Sequence, residues 1–135
     1  MISRYPRLLR ATLIFIALVQ FILGAAFLLA PQPTVQALGL SATPDWVNWL
    51  FGQMGARFIG FGIGMLIAAR NFAQATPWIW SMILVQAIDW IVTLKYLLAG
   101  SITLPQVSTA PYFPPLFIAL LLIAMPRAAK QGQHQ

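Results

Sequence analysis

The stretch ATLIFIALVQFILGAAFLLA, residues 11–30, decides the fold class of this chain. It carries no charged side chain, and a helix needs about 20 apolar residues to cross the hydrocarbon core of a bilayer. A secretory signal sequence has a shorter apolar core, of about 7–15 residues. We therefore expect a membrane-spanning first helix over about residues 8–30.

The composition of the whole chain agrees with that assignment. Of 135 residues, 60% are hydrophobic and 7% are charged, whereas soluble domains are about 45–50% apolar and about 25% charged. The apolar residues fall into runs of membrane-spanning length, so lipid is the expected solvent for most of the chain. We expect a single membrane domain over residues 1–135.

Two Thr-Pro pairs mark the next helix starts. In the first pair, Thr43 can cap the helix and Pro44 suits the first turn, while Asp45 is favourable near the positive end of the helix dipole. The second pair is at residues 76 and 77. These signals predict a second helix over about residues 44–70 and a third over about residues 77–99.

A fourth helix is predicted over about residues 110–126, followed by a tail at 127–135. Prolines at and before the start of this segment exclude a straight helix ahead of LFIALLLIAM. That apolar run alone is too short to span a membrane. Either the preceding TAPYF forms an irregular or kinked first turn, which we favour, or the helix lies where the membrane is thin.

The basic residues lie at the ends of the apolar runs rather than in one patch. Arg4, Arg7 and Arg10 precede the first run, Arg70 ends the second, and Arg127 and Lys130 follow the last. This distribution is typical of the positive-inside rule and not of a nucleic-acid-binding protein. We expect an all-α integral membrane four-helix bundle with both termini cytoplasmic.

Small residues recur at every fourth position of the predicted second helix, within GQMGARFIGFGIGMLIAAR. They are Gly52, Ala56, Gly60, Gly64 and Ala68. Such a ridge lets a second helix backbone approach closely in lipid. The ridge packs either against another helix of the same chain or against a second subunit.

Polar residues on three predicted helices share one depth. Counted at 1.5 Å per residue from the outer helix ends, Arg57 lies ~13 Å deep, and Asp89 and Gln20 ~15 Å deep. Because isolated charges in a membrane are costly, we expect Arg57 and Asp89 to turn inward and pair. Helical spacing would place Gln53, Gln86 and Thr93 in the same cluster.

Two interpretations of this cluster remain open. The pair of charges either fixes how the helices pack, or it forms a site for a ligand headgroup, an ion or a proton. Towards the inner face, the second and third helices offer almost no further ionisable side chain. A cavity that opens outward therefore fits the pattern better than a channel.

The residue inventory disfavours several classes of enzyme. The chain contains no cysteine, and its one histidine, His134, is in the tail. With one deep carboxylate and no buried His, Cys or Glu, we predict no metal site, no cofactor and no catalytic cluster. A single-carboxylate isomerase or a quinone-type reaction stays open, since one acid can act alone as general acid or base.

The layout also resembles a known type of protein. A first helix that ends in AP, the following ALGL, and an arginine within the glycine-rich GARFIGFGIGMLIAAR resemble the small four-helix bacterial inner-membrane proteins described as DoxX-like. The resemblance covers the chain in outline, and its marks lie between Pro31 and Arg70. It implies four helices and an inner-membrane location, and some members of this type are linked to oxidoreductase partners.

The sequence therefore predicts a small accessory or scaffold protein that packs against another membrane subunit or a second copy of itself. The alternative is a small-molecule or lipid binding protein, or a transporter, that uses the Arg57, Asp89 and glutamine cluster. Membrane lipid is the expected surrounding partner in both cases, and nucleic acid is not expected.

Overall fold

The computed structural model of the chain describes residues 5–125, and all regular secondary structure within them is helical. The helices in chain order are α1 (Pro6–Leu29), α2 (Pro31–Ala37), α3 (Asp45–Arg70), a 3₁₀ turn (Phe72–Gln74), α4 (Ala75–Leu98), α5 (Leu104–Val107) and α6 (Phe113–Ala124). The predicted all-α class is confirmed. Arg4 and the predicted tail at 127–135, with Arg127, Lys130 and His134, lie outside the described residues.

Three helical stretches are long and apolar enough to cross a membrane. They are Pro6–Leu29, Asp45–Arg70 and Phe72–Leu98. The expectation of membrane-length apolar helices is confirmed to that extent. The short helices α2 and α5 are additions that sequence patterns did not predict, and both lie in connecting segments.

The fourth predicted helix is shorter in the structure than over residues 110–126. α6 contains 12 residues, with prolines in its first turn, where a missing N–H breaks no intrahelical hydrogen bond. The preceding residues form turns, in which the Phe113 N–H donates to the Thr109 carbonyl at 2.9 Å. At 1.5 Å per residue, α6 is about 18 Å long and α4 about 36 Å.

α1 and α3 form the closest helix pair, because glycines bring their backbones together. A Cβ atom added at Gly55 would lie 2.9 Å from the Gly24 carbonyl oxygen, and one added at Gly62 would lie 2.8 Å from the ring of Phe21. Further along the same seam, the ring centroids of Phe27 and Phe51 are 5.4 Å apart. Small residues opposite aromatic rings thus set this interface.

The beginning of α1 is tied to the end of α3. The Arg10 Nε–H donates to the Ala69 carbonyl oxygen at 3.2 Å, and the Arg10 guanidinium lies 5.4 Å from the centroid of the Phe72 ring. Arg7 and Arg70 lie near the same ends of their helices. One end of the bundle therefore collects the described arginines other than Arg57.

α4 and α6 complete the core beside α1. Gly64 of α3 contacts the indole ring of Trp78, and Phe117 of α6 packs edge-on against Phe15 with centroids 5.9 Å apart. The buried apolar residues of these four helices form one cluster: Leu9, Leu13, Ile16, Ala17, Met65, Ala68, Ala69, Ala75, Ile79, Met82, Ile83, Phe117, Leu121 and Ala124.

Hydrogen bonds organise the connecting segments at the opposite end of the bundle. The Gln32 side-chain amide donates to the Thr43 hydroxyl at 2.8 Å and to Asn48 Oδ1 at 2.8 Å. The Thr43 hydroxyl therefore accepts a hydrogen bond within this loop and does not cap α3. The N-cap residue of α3 is Pro44, and no side chain caps the helix there. Gln106 donates to the Gly39 carbonyl oxygen at 3.2 Å and joins the two loops.

The half of α4 beyond Gln86 is largely uncovered. The turn before α6 contacts it at one point, where the Trp90 Nε1–H donates to the Pro111 carbonyl oxygen at 3.0 Å. α6 itself is too short to reach along it, and α3 packs chiefly on α1. The large exposed apolar residues on this part of α4 are Ile88, Ile91, Val92, Tyr96 and Leu98.

Candidate docking face and polar layer

Two glutamines of the predicted polar cluster meet inside the bundle. Gln20 and Gln86 are 5% and 6% exposed, and both face the sulfur of Met82. The distances from Nε2 to Sδ are 3.9 Å for Gln20 and 3.6 Å for Gln86. A thioether sulfur is a weak acceptor, so these bonds compensate only part of the cost of burying the amides.

The side-chain oxygen of Gln20, Oε1, has no hydrogen-bond partner within residues 5–125. A buried amide oxygen without a donor costs about 1–3 kcal/mol relative to a satisfied one. Gln20 is thus a point of low stability between α1 and α4. A hydrogen-bond donor placed beside this side-chain oxygen would remove that cost.

The charged members of the cluster lie elsewhere. Arg57 and Asp89 are both exposed, and among residues 5–125 neither side chain has a hydrogen-bond or ion-pair partner. The structure thus differs from the expected interior pair. Gln53 is exposed as well, and the Thr93 hydroxyl donates to the backbone carbonyl oxygen of Asp89 at 2.8 Å.

The rotation of α3 explains where Arg57 points. Gly55 faces α1, and two residues along an α-helix correspond to about 200° of rotation. Arg57 therefore lies on the side of α3 away from α1. Asp89 is three residues beyond the buried Gln86 and only about 60° from it around the helix axis, and it is exposed because it lies on the part of α4 that α6 does not cover.

Arg57 and Asp89 nevertheless lie at one height. α3 and α4 leave the same short connection, which contains the 3₁₀ turn Phe72–Gln74. At 1.5 Å per residue, each charge lies about 20 Å along its helix from that connection. Two opposite charges thus occupy exposed positions at equal height near the middle of two membrane-length helices.

The small-residue ridge divides into two parts. Gly64 and Ala68 are buried and pack inside the chain, with Gly64 against Trp78. An added Cβ would meet nothing within 4 Å at Gly52 or at Gly60, and Ala56 between them is exposed. We call the open surface of Gly52, Ala56, Gly60, Gln53 and Arg57 the docking face of α3.

Sequence reasoning missed the glycines that join α1 to α3. Gly24, Gly55 and Gly62 are buried at that interface. The usable signal is the seven-residue spacing of Gly55 and Gly62, which places both on one side of a helix.

A cavity of about 480 Å³ lies among the connecting segments at the end of the bundle that carries α2 and α5. Phe27, Phe51 and Val35 supply apolar walls, and Ser101 and Gln106 supply polar groups. No charged side chain lines it among the described residues. It is partly open to its surroundings, and its lining is mostly apolar.

No family model, curated protein or solved structure matches this chain. The DoxX-like resemblance therefore stays a prediction from the sequence.

Proposed function

We propose that this chain is a small integral protein of a bacterial inner membrane that acts as an accessory or scaffold subunit by binding another membrane chain. The observation that carries the proposal is the docking face of α3, together with the exposed Asp89 of α4. A soluble partner is a poor candidate, because this surface lies along membrane-length helices.

Membrane energetics support a covering partner. A charged residue in the middle of a transmembrane helix costs about 2.5–3.5 kcal/mol on insertion scales. Alone in a bilayer, the chain would expose both Arg57 and Asp89 to lipid. A second membrane protein that covers them removes this cost, and Gly52, Ala56 and Gly60 allow its backbone to come close.

The charge distribution supports the proposed orientation. Arg7, Arg10 and Arg70 lie at one end of the bundle, and Lys95 lies towards the other. By the positive-inside rule, the arginine-rich end is cytoplasmic and the loops that carry α2 and α5 are outside. α6 then returns towards the cytoplasmic side and gives four helices with both termini inside.

Purification in mild detergent tests the proposal. The tagged wild-type chain is expected to elute with another membrane chain at fixed stoichiometry. Gly60→Leu should abolish that association without loss of fold, since the position is open and leucine is a better helix former than glycine. Ala119→Leu, a matched substitution at an exposed position of α6, should retain the partner. Elution of the wild-type chain as a monomer, with neither a different membrane chain nor a second copy of itself, would contradict the proposal.

A second candidate function is small-molecule or lipid binding. The uncharged cavity of about 480 Å³ favours it. Native mass spectrometry of the same eluate distinguishes the two candidates, because a binding protein would retain a small molecule or lipid and no second chain. Phe51→Trp, which narrows the cavity, should then reduce that retention.

A further inference from the structure

We propose that the partner is a second copy of this chain, and that Arg57 of each copy pairs with Asp89 of the partner subunit across a twofold axis along the membrane normal. This inference rests on the proposed function and names the chain that covers the docking face. It turns the two isolated charges of each copy into two equivalent ion pairs between the copies.

Charge complementarity selects a second copy over an unrelated chain. Between the ends of the long helices, Arg57 and Asp89 are the exposed charges at mid-height, one of each sign, and neither has a partner within residues 5–125. An unrelated partner would need an acid and a base of its own in matching positions. A second copy already carries both.

The heights of the two residues satisfy the symmetry. A twofold axis along the membrane normal leaves the height of every residue unchanged, so a residue can pair only with one at its own level. Arg57 and Asp89 both lie about 20 Å along their helices from the shared connection. The same axis forms both pairs at once, as expected for an isologous dimer.

The surfaces around the charges also fit. Gly52, Ala56 and Gly60 leave room beside Arg57 for a helix to approach. The uncovered half of α4 offers apolar residues near Asp89, among them the exposed Val92. Gln53 lies one turn from Arg57 and can add a hydrogen bond across the interface.

Pairing within one chain is the competing arrangement. It would require the mid-height parts of α3 and α4 to come together. In the structure, Gly64 and Trp78 join the two helices near their connection, while Arg57 and Asp89 stay exposed. A test must therefore separate pairing between copies from pairing within one copy.

Charge exchange between two copies makes that distinction. Two copies with different tags are co-expressed, and their co-purification in mild detergent is measured. Arg57→Asp leaves a copy with two acids at this level, and Asp89→Arg leaves one with two bases. Each variant should associate with itself at least about tenfold less than the wild type, since like charges then face each other.

Co-expression of the two different single variants distinguishes pairing between copies from pairing within one copy. An Arg57→Asp copy with an Asp89→Arg copy has complementary charges at both contacts, so association should return to within about threefold of wild type. If only the double variant in one chain restores association, and the mixed pair does not, the ion pair is internal and the proposal is overturned.

Cysteine cross-linking gives a second test that keeps both charges. The chain has no native cysteine, and Gln53 and Thr93 each lie one turn beyond a charged residue in the same direction along the bundle. A Gln53→Cys copy and a Thr93→Cys copy should form a covalent dimer in native membranes under mild oxidation. A Gln53→Cys copy with an Ile22→Cys copy, exposed on α1, should not.

The outcomes separate this inference from the proposed function. Capture of a different chain at fixed stoichiometry, without association of the two tags, overturns the second-copy proposal and leaves the accessory role standing. Elution of the wild-type chain as a monomer without any partner overturns both. Absence of the Gln53 and Thr93 cross-link in membranes overturns the second-copy arrangement even if the charge variants fail to fold.

Discussion

Single residues decide how closely the helices of this chain approach one another. At Gly55 the nearest atoms to an added Cβ belong to the backbone, with the Gly24 carbonyl oxygen at 2.9 Å and the Leu28 nitrogen at 3.1 Å. At Gly60, nothing lies within 4 Å. Two glycines of one helix therefore have different roles, which a sequence pattern alone does not distinguish.

We expect Gly55→Ala to lower the free energy of unfolding by about 1–3 kcal/mol, because backbone atoms cannot move aside for the methyl group. Gly60→Ala is the matched control and should be neutral or stabilising by up to about 1 kcal/mol, from helix propensity. Denaturant titration in detergent micelles measures both. Equal effects at the two positions would contradict the close α1–α3 contact.

Gln20→Met tests the unpartnered amide oxygen between α1 and α4. Methionine has a similar shape and no polar oxygen, so the free energy of unfolding should rise by about 1 kcal/mol. Gln36→Met, at an exposed position of α2, should leave it unchanged. A clear loss of stability in Gln20→Met would show that the Gln20 oxygen has a donor in the membrane.

At the scale of elements, α6 secures α4 to α1 although it is short. Phe117 is 2% exposed and contacts Phe15 of α1 and Phe113 of its own helix. The prolines at its start and its length of 12 residues restrict that support to the half of α4 nearest the 3₁₀ turn. The remaining half is largely uncovered and presents Asp89.

Truncation of Phe117 should therefore release α6. Phe117→Ala is expected to cost about 3–5 kcal/mol, the usual range for a buried aromatic residue. Ile123→Ala, at an exposed position of the same helix, should cost less than about 1 kcal/mol in detergent. Thermal melts followed by circular dichroism compare the two, and similar losses would contradict the described packing of α6.

At the scale of the whole molecule, the proposed orientation places the 3₁₀ turn in the cytoplasm and the loops around α2 and α5 outside. Single cysteines test it, since the chain has none. In intact cells, a membrane-impermeant thiol reagent should label Ala42→Cys and Ser101→Cys. It should label Ala73→Cys only after permeabilisation, and the reverse pattern would invert the topology.

The sequence by itself determined the helical class and the three membrane-length apolar helices. Both depend on run length and composition, which are local properties. The start of α3 could also be predicted from the sequence, because Pro44 and Asp45 favour a helix start in any surroundings. The start of α6 was harder to predict, since the four prolines within and before this helix are compatible with several starting residues.

Only the tertiary structure decided which side of each helix turns inward. α3 carries small residues on two sides, and either could meet α1. The buried side is that of Gly55 and Gly62, because Gly24 and Phe21 complement it in shape. That choice leaves Arg57 pointing outward while Gln20 and Gln86 meet inside. Rotation about a helix axis depends on the shapes of its neighbours, which come from distant parts of the chain.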